Sequence, residues 1–325
     1  MLSRVAERVY WMARYLERAE NTARLLNVYS TLLLDLPRGT KVGWHTLVDI
    51  TGTNEEFQAT QKAADERGVV KFLLADNNGV SIHSNLSLAR ENARTTREII
   101  PAEAFEQINN LYIYIKENAV KGISRGPRHE LLNEIIENCQ QITGLLAGTM
   151  SHNAAYSFIR IGRNLERADM TTRIVDVGSG SLLPNLTNVA EADKPKAEPY
   201  ENILWMSVLR SISAYQMYRQ HVRDRVNGED VVMYLLQDEQ FPRAVVHCLI
   251  QSQSCIDDLP NHTKALTQVA KALRHAREAK IEALLAGGLF QYIDELQVEI
   301  AAIHEHIAST WFLRDSAEVK SQSQS

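Results

Sequence analysis

Apolar positions recur at spacings of three and four along most of the chain and almost nowhere at two. From residue 2 to 34, Val5, Val9, Met12, Leu16, Ala19, Ala23 and Leu26 fall on one face, which predicts a single long helix. Pro37-Arg38-Gly39 ends it, because proline cannot continue a helix and glycine relaxes the exit. A short helix is predicted from Trp44 to Ile50. Asn54, followed by Glu55-Glu56, reads as the cap and acidic first turn of a helix to about Leu74. After the turn Asp76-Asn77-Asn78-Gly79, Ser84 or Asn85 caps a predicted helix to about Ile99. Pro101 opens the next, to about Asn118, where its missing N–H costs nothing. Lys121 to Arg128 reads as a flexible connection. Helices follow from His129 to Leu146 and from Met150 to Val177.

The stretch 178–200 holds Pro184, Pro195 and Pro199 and reads as a linker or crossing loop. Residues 201–225 predict a helix with Trp205, Leu209, Ile212 and Tyr215 along one side, broken by Asn227-Gly228. Asp230 to Leu236 reads as helix from its context. Phe241-Pro242-Arg243 starts another helix, to about Ile256. Two long amphipathic helices, near 261–286 and 289–313, flank Gly287-Gly288. Residues 314–325, rich in Ser and Gln at their end, are expected to be a disordered tail. The expected class is therefore all-α, a multi-helix bundle of about ten helices with antiparallel neighbours. It would form one domain over residues 1–313, with 178–200 as the place where two subdomains would divide.

One polar segment inside this pattern occurs twice. Leu16-Glu17-Arg18-Ala19-Glu20-Asn21-Thr22-Ala23-Arg24 returns 149 residues later as Leu165-Glu166-Arg167-Ala168-Asp169-Met170-Thr171-Thr172-Arg173. Arg14 and Arg163 extend the match, so an internal pseudo-repeat of a Glu-Arg helix is expected. On helical geometry Tyr10, Arg14, Glu17, Asn21 and Arg24 form one stripe, away from the apolar face. The second helix is apolar almost all round, through Phe158, Ile161, Leu165, Ile174 and Val175. It is expected to be buried, with Arg163, Glu166 and Arg167 at least partly inside.

An uncompensated buried charge costs on the order of several kcal/mol. Two stripes facing each other would meet that cost, with Glu17 and Glu166 each accepting bidentate bonds from arginines. Arginine would remain in excess, and the excess could hold a carboxylate, a phosphate or an acidic peptide tail. Three readings stay open on the residues alone. One is a structural polar core. The second is a ligand or catalytic site with Glu17 or Glu166 as general base. The third is a solvated face whose pairs contribute about a few tenths of a kcal/mol each. Arg90, Arg94 and Arg97 form a further arginine row at i, i+4 and i+7. Arg243 sits near a helix N-terminus, where a cation is unfavourable, so it either has a carboxylate partner elsewhere or is simply exposed.

Composition narrows the function classes. Hydrophobic residues at 45% and charged residues at 23% suit a globular protein, and a net charge of −5 argues against a nucleic-acid partner. Cys139, Cys248 and Cys255 are too scattered for a disulfide framework and fit a reducing, cytoplasmic setting. No run approaches eighteen apolar residues, so no membrane span is expected. The first residues lack the apolar core of a secretory signal, and Glu7, Glu17 and Glu20 are out of place in a transit peptide. No metal or cofactor is expected either. His129-Glu130 begins like a zinc-protease helix, but Asn133 stands where the second histidine must be. His304 and His306 point to different helix faces and read as surface groups, and no phosphate-cradling glycine loop occurs. Cys248 and Cys255 read as small core residues.

Four separated motifs carry a resemblance over nearly the whole chain. They are Ser3-Arg4-Val5-Ala6 with Tyr10-Trp11-Met12 leading into the first Glu-Arg segment, Ala89-Arg90-Glu91-Asn92-Ala93-Arg94, Gly162 to Asp169, and Phe241-Pro242-Arg243 with Cys248. In this order they resemble the bacterial alpha-E proteins, named for an α-helical domain carrying a Glu-Arg motif. Asn85-Leu86 departs from the Asn-Pro pair typical of that family. The resemblance implies a setting beside, or fused to, a circularly permuted ATP-grasp protein, often with a transglutaminase-like protein nearby. ATP-grasp enzymes activate carboxylates as acyl phosphates and join them to amines. The implied role is an accessory or substrate-binding subunit in amide-bond formation or peptide modification. The residues expected to hold an acidic small molecule or peptide are Arg14, Arg18, Arg90, Asn92, Arg94, Arg163, Arg167 and Arg243.

Overall fold

The computed structural model describes residues 3–35, 43–60, 63–179 and 194–312. Among them are fifteen α-helices, one 3-10 turn at Lys121–Ile123, and no strand. The chain is all-α, as the three-and-four spacing predicts. In order the helices are α1 (Ser3–Asp35), α2 (Thr46–Thr51), α3 (Asn54–Thr60), α4 (Glu66–Leu74) and α5 (Ile82–Arg94). Then come α6 (Ala102–Asn118), α7 (Arg125–Thr149), α8 (Ala154–Ser179), α9 (Lys194–Ser211) and α10 (Tyr215–His221). The last five are α11 (Gly228–Gln237), α12 (Val245–Asp257), α13 (Thr263–Arg277), α14 (Ile281–Ala286) and α15 (Leu289–Trp311). None of the described helices is long and apolar enough to cross a membrane.

The bundle is arranged around α1 and α8, which lie against each other. α5 and α7 cover α1, while α12 and α15 cover α8. Both the apolar face of α1 (Val9, Met12, Ala19, Leu26) and its polar stripe (Tyr10, Glu17, Asn21, Arg24) are buried. The polar stripe is thus not set apart from the core but enclosed by it. Gly162 permits this closeness: a Cβ there would collide with the Tyr10 carbonyl, so only glycine lets the two backbones meet. Burying a large apolar side chain such as Phe158 contributes about 1.5–3 kcal/mol, and Phe158 of α8 and Met12 and Leu26 of α1 are fully enclosed.

Several boundaries differ from the pattern's prediction, each for a local reason. The helix predicted from Asn54 to Leu74 is two, because Asp65 caps a fresh start by accepting from the Gly68 N–H at 2.7 Å. Ser81, not Ser84 or Asn85, caps α5, and that helix stops at Arg94. The connection expected at 121–128 is mostly structured, as a 3-10 turn followed by the start of α7 at Arg125. The helix expected over 201–225 breaks after Ser211, and Ser213 takes a left-handed backbone at φ 54°. The helix expected near 261–286 divides at 278–280. α12 begins at Val245, two residues beyond Arg243. Of the 178–200 linker, residues 180–193 lie outside the described residues, while α9 already begins at Lys194. The tail 314–325 also lies outside them.

Candidate functional site

The two Glu-Arg segments meet where α1 crosses α8, and their partners are exchanged. Glu166 of α8 accepts from Arg18 of α1 through Nε (2.5 Å) and Nη2 (3.0 Å), and from Arg14 Nε at 2.7 Å. Glu17 of α1 pairs in return with Arg167 of α8, whose Nε lies 2.9 Å from Oε1. That Nε is off the hydrogen-bond direction, so the contact is an ion pair by charge and distance. Both glutamates are 2% exposed.

Arg14 and Arg163 occupy matched positions, but only Arg14 reaches the opposite glutamate. At Glu17 the corresponding place is taken by Arg243, which donates Nη1 to Glu17 and to Asn21 Oδ1, both at 2.7 Å. Its Nη2 donates to Glu20 at 2.7 Å. Arg243 is carried in by the turn before α12, and its carbonyl accepts from the Thr171 hydroxyl of α8 at 2.8 Å. Of the two alternatives for Arg243, exposure or a carboxylate partner, the structure has the second, as a pair, Glu17 and Glu20. Arg163 is left with a buried Nε that has no hydrogen-bond partner, and desolvation lowers its pKa.

The network runs outward in two directions. Arg24 donates to Glu20 through Nε (3.0 Å) and Nη2 (2.8 Å), and its Nη1 donates to the Ser213 hydroxyl at 2.6 Å. In α8 the matched acid and arginine pair in the same way, Arg173 Nε donating to Asp169 at 2.8 Å. Arg173 also lies over Gly52, which ends α2 at φ 65°. On the other side Arg14 Nη1 donates to the Tyr10 hydroxyl at 3.2 Å, and that hydroxyl is hydrogen-bonded to His304 Nδ1 at 2.9 Å. His304 is therefore half-buried in the bundle rather than a surface group.

Electrostatically the carboxylates win. Desolvation pushes the Glu17 carboxyl up, but Arg167 and Arg243 together outweigh it and hold the pKa at about 2. Glu166 shows the same balance, with Arg18 and Arg14 overcoming desolvation to give about 2. Five arginines surround three glutamates here. The surplus is met by neutral acceptors (Tyr10, Asn21, Ser213), by Trp11, whose ring lies 5.2 Å from the Arg14 guanidinium, and by solvent at Arg18, which is 30% exposed.

The other arginines named from the sequence are elsewhere. Arg90 donates to Asn109 of α6 at 2.7 Å and lies over Tyr112. Arg94 pairs with Glu91 of its own helix at the surface. Asn92 is half-buried, and its carbonyl accepts from Thr95 and Thr96. Residues that the motif reading did not place are Glu20 as a hub, Ser213 and His304. Glu20 carried a signal, since the second segment keeps an acid there, Asp169. Ser213 and His304 carried none. Among the described residues, no three His, Cys, Asp or Glu side chains are grouped to hold a metal ion.

A family model described as "a predicted alpha-helical domain with a conserved ER motif", Alpha-E, matches residues 1–312. The chain is similar to the uncharacterised proteins Mb2597 of Mycobacterium bovis and Rv2567 of Mycobacterium tuberculosis, each at 23% identity. Those alignments cover 99% of this chain but 37% of each relative, so the chain spans little more than a third of the length of the curated relatives it matches. No solved structure matches it.

Proposed function

The chain belongs to the Alpha-E family, and from that premise we propose that it is a non-catalytic accessory subunit whose Glu-Arg motif is an internal clamp. The observation that carries this reading is the closure of the motif on itself. Glu17 and Glu166 are shut off from solvent and held as carboxylates at about 2 by their own arginines. A base that weak, with no open face, is poorly suited to take a proton from an amine or peptide near neutral pH. The motif's work is then to fix α1, α8 and the Arg243 turn as one rigid body, and the subunit acts through the surfaces that body presents.

The partner this reading assigns is a carboxylate-amine ligase of the circularly permuted ATP-grasp kind, with a transglutaminase-like protein as a second associate. The likeness of the four motifs to the alpha-E proteins supports that assignment. The test is co-expression with a circularly permuted ATP-grasp protein from the same genome, followed by co-purification and a ligase assay. Association, with ligase activity that depends on this chain, is the expected result. A chain that never associates and leaves the ligase unchanged overturns the reading.

A further inference from the structure

A pocket of about 280 Å³ opens between α1, the segment before α2, and the first turns of α4 and α7. Asn27, Ser30, Trp44, Glu66, Arg125 and Arg128 line it. It shares no residue with the Glu-Arg clamp. Its floor is built rather than incidental. Arg128 is 3% exposed and donates to Glu66 at 2.8 Å and to the Gly122 and Ile123 carbonyls at 3.2 and 2.7 Å. Its guanidinium also lies 5.6 Å from the Trp44 ring centroid. Arg125 donates Nε and Nη2 to Glu66, leaving Nη1 toward solvent on a side chain that is 76% exposed.

At the mouth, three side chains close a ring of hydrogen bonds. Asn27 Nδ2 donates to Asn133 Oδ1 (2.8 Å), Asn133 Nδ2 donates to His129 Nε2 (3.1 Å), and His129 Nδ1 donates to Asn27 Oδ1 (2.6 Å).

These features select a ligand. The two arginines and one glutamate of the described lining give it one net positive charge. A carboxylate monoanion matches that charge, whereas a phosphate dianion would leave one charge uncompensated. Glu66 is already bound by two arginines, so among the described lining residues no carboxylate is free to take an ammonium group. A free amino acid would leave its α-ammonium unpaired there, but an acylated nitrogen would not. The Ser30 hydroxyl spends its proton on the Leu26 carbonyl, so its oxygen is left to accept an amide N–H. Trp44 supplies apolar surface for a side chain, and the volume is at the small end for a ligand site.

We propose that this pocket binds the C-terminal residue of a peptide, or an N-acylated amino acid, with the carboxylate on Arg125 and an apolar side chain against Trp44. The site stands on its own geometry. It also deepens the accessory reading, because a carboxylate is what a carboxylate-amine ligase activates. Binding is measured on the chain alone, so its failure is separate from failure of ligase association.

The test titrates the full chain with N-acetyl-L-phenylalanine, N-acetyl-L-phenylalaninamide and inorganic phosphate, following tryptophan fluorescence and calorimetry. The acid is expected to bind saturably, and the amide about tenfold or more weaker, the scale of one charge-assisted hydrogen bond. Arg125→Gln, at an exposed position that leaves the fold intact by circular dichroism, is expected to weaken the acid to the level of the amide. Trp44→Phe is expected to remove most of the fluorescence change. Absence of saturable binding by the acid, equal binding of acid and amide, phosphate competing as well as the acid, or an unaffected Arg125→Gln variant would each overturn the proposal.

Discussion

Glu17 of α1 and Arg167 of α8 stand 2.9 Å apart, and their sequence neighbours Arg18 and Glu166 close the same pairing in reverse at 2.5 Å. Each Glu-Arg dipeptide thus trades partners with the other. Sliding either helix by one residue would break both pairs together, so the exchange fixes register as well as contact. Apolar packing alone specifies register less sharply, since neighbouring apolar side chains can substitute for one another. An ionic lock of this kind contributes little net stability while intact, because desolvation offsets most of the attraction, but it is costly to break on one side.

That asymmetry bears on two substitutions. Glu17→Gln leaves Arg167, 14% exposed, without a carboxylate, and leaves Arg243 with Glu20. Glu166→Gln leaves Arg14, 12% exposed, without a carboxylate, while Arg18 at 30% exposure can turn to water. Each substitution thus orphans one enclosed arginine, and each is expected to cost about 3–5 kcal/mol, the scale of an uncompensated buried charge. Urea denaturation of the two variants checks this, and a variant as stable as the parent would mean that its arginine is not held as described.

Acid should act on the same two groups. Their folded pKa values, about 2, lie below the ordinary 4.5. With the folded value depressed, the stability they contribute is complete above 4.5 and is lost as pH falls toward 2. Equilibrium unfolding followed from pH 6 to 2 is expected to show its steepest loss in that window. The Glu17→Gln variant, already weaker, should show a shallower slope there.

The all-α class and the burial of the second Glu-Arg helix were legible because helical spacing is a local property, and an almost wholly apolar helix has nowhere to go but inside. The place of Arg243 near a helix start left two alternatives, a carboxylate partner or exposure. Neither the choice nor the partner was legible, because both depend on a turn more than two hundred residues away in sequence approaching α1. For the same reason the sequence alone groups Arg90 and Arg94 with the motif arginines as candidate anion ligands. Their helix does pack on α1, but these side chains turn toward α6 and solvent. Helix breaks at Asp65 and Ser213 were hidden because apolar periodicity continues across them.

Ser213 offers a direct check of one such break. Its φ of 54° is costly for a residue with a side chain, and its hydroxyl accepts from the enclosed Arg24 at 2.6 Å. Ser213→Gly relieves the backbone but loses the acceptor, so it is expected to be near neutral. Ser213→Val adds a branched side chain in a region that branched residues avoid and also removes the acceptor, and is expected to cost about 2 kcal/mol or more. Thermal unfolding of both variants distinguishes the two. A Val variant as stable as the Gly variant would remove the case for strain.

The Tyr10–His304 contact gives the clamp a second pH window, separate from the acid one. Burial lowers the His304 pKa from 6.5, and Arg14 lowers it further, while Glu305 and Glu166 pull weakly the other way. The Tyr10 hydroxyl accepts from Arg14 and is hydrogen-bonded to His304 Nδ1. Protonation of the ring would therefore add a positive charge beside the Arg14 guanidinium in a half-buried site. Because the folded pKa lies below the unfolded value, this contribution is complete above 6.5 and falls away as pH drops from there toward the folded pKa. The expected outcome is a loss of stability beginning below pH 6.5, before Glu17 and Glu166 respond. His304→Phe preserves a ring against Tyr10, so it is expected to remove that early loss while leaving the decline below 4.5 in place. Titration of the His304 ring by NMR should give a midpoint below 6.5. A midpoint at or above it would mean that Arg14 and burial do not control this residue, and that α15 is not coupled to the clamp through Tyr10.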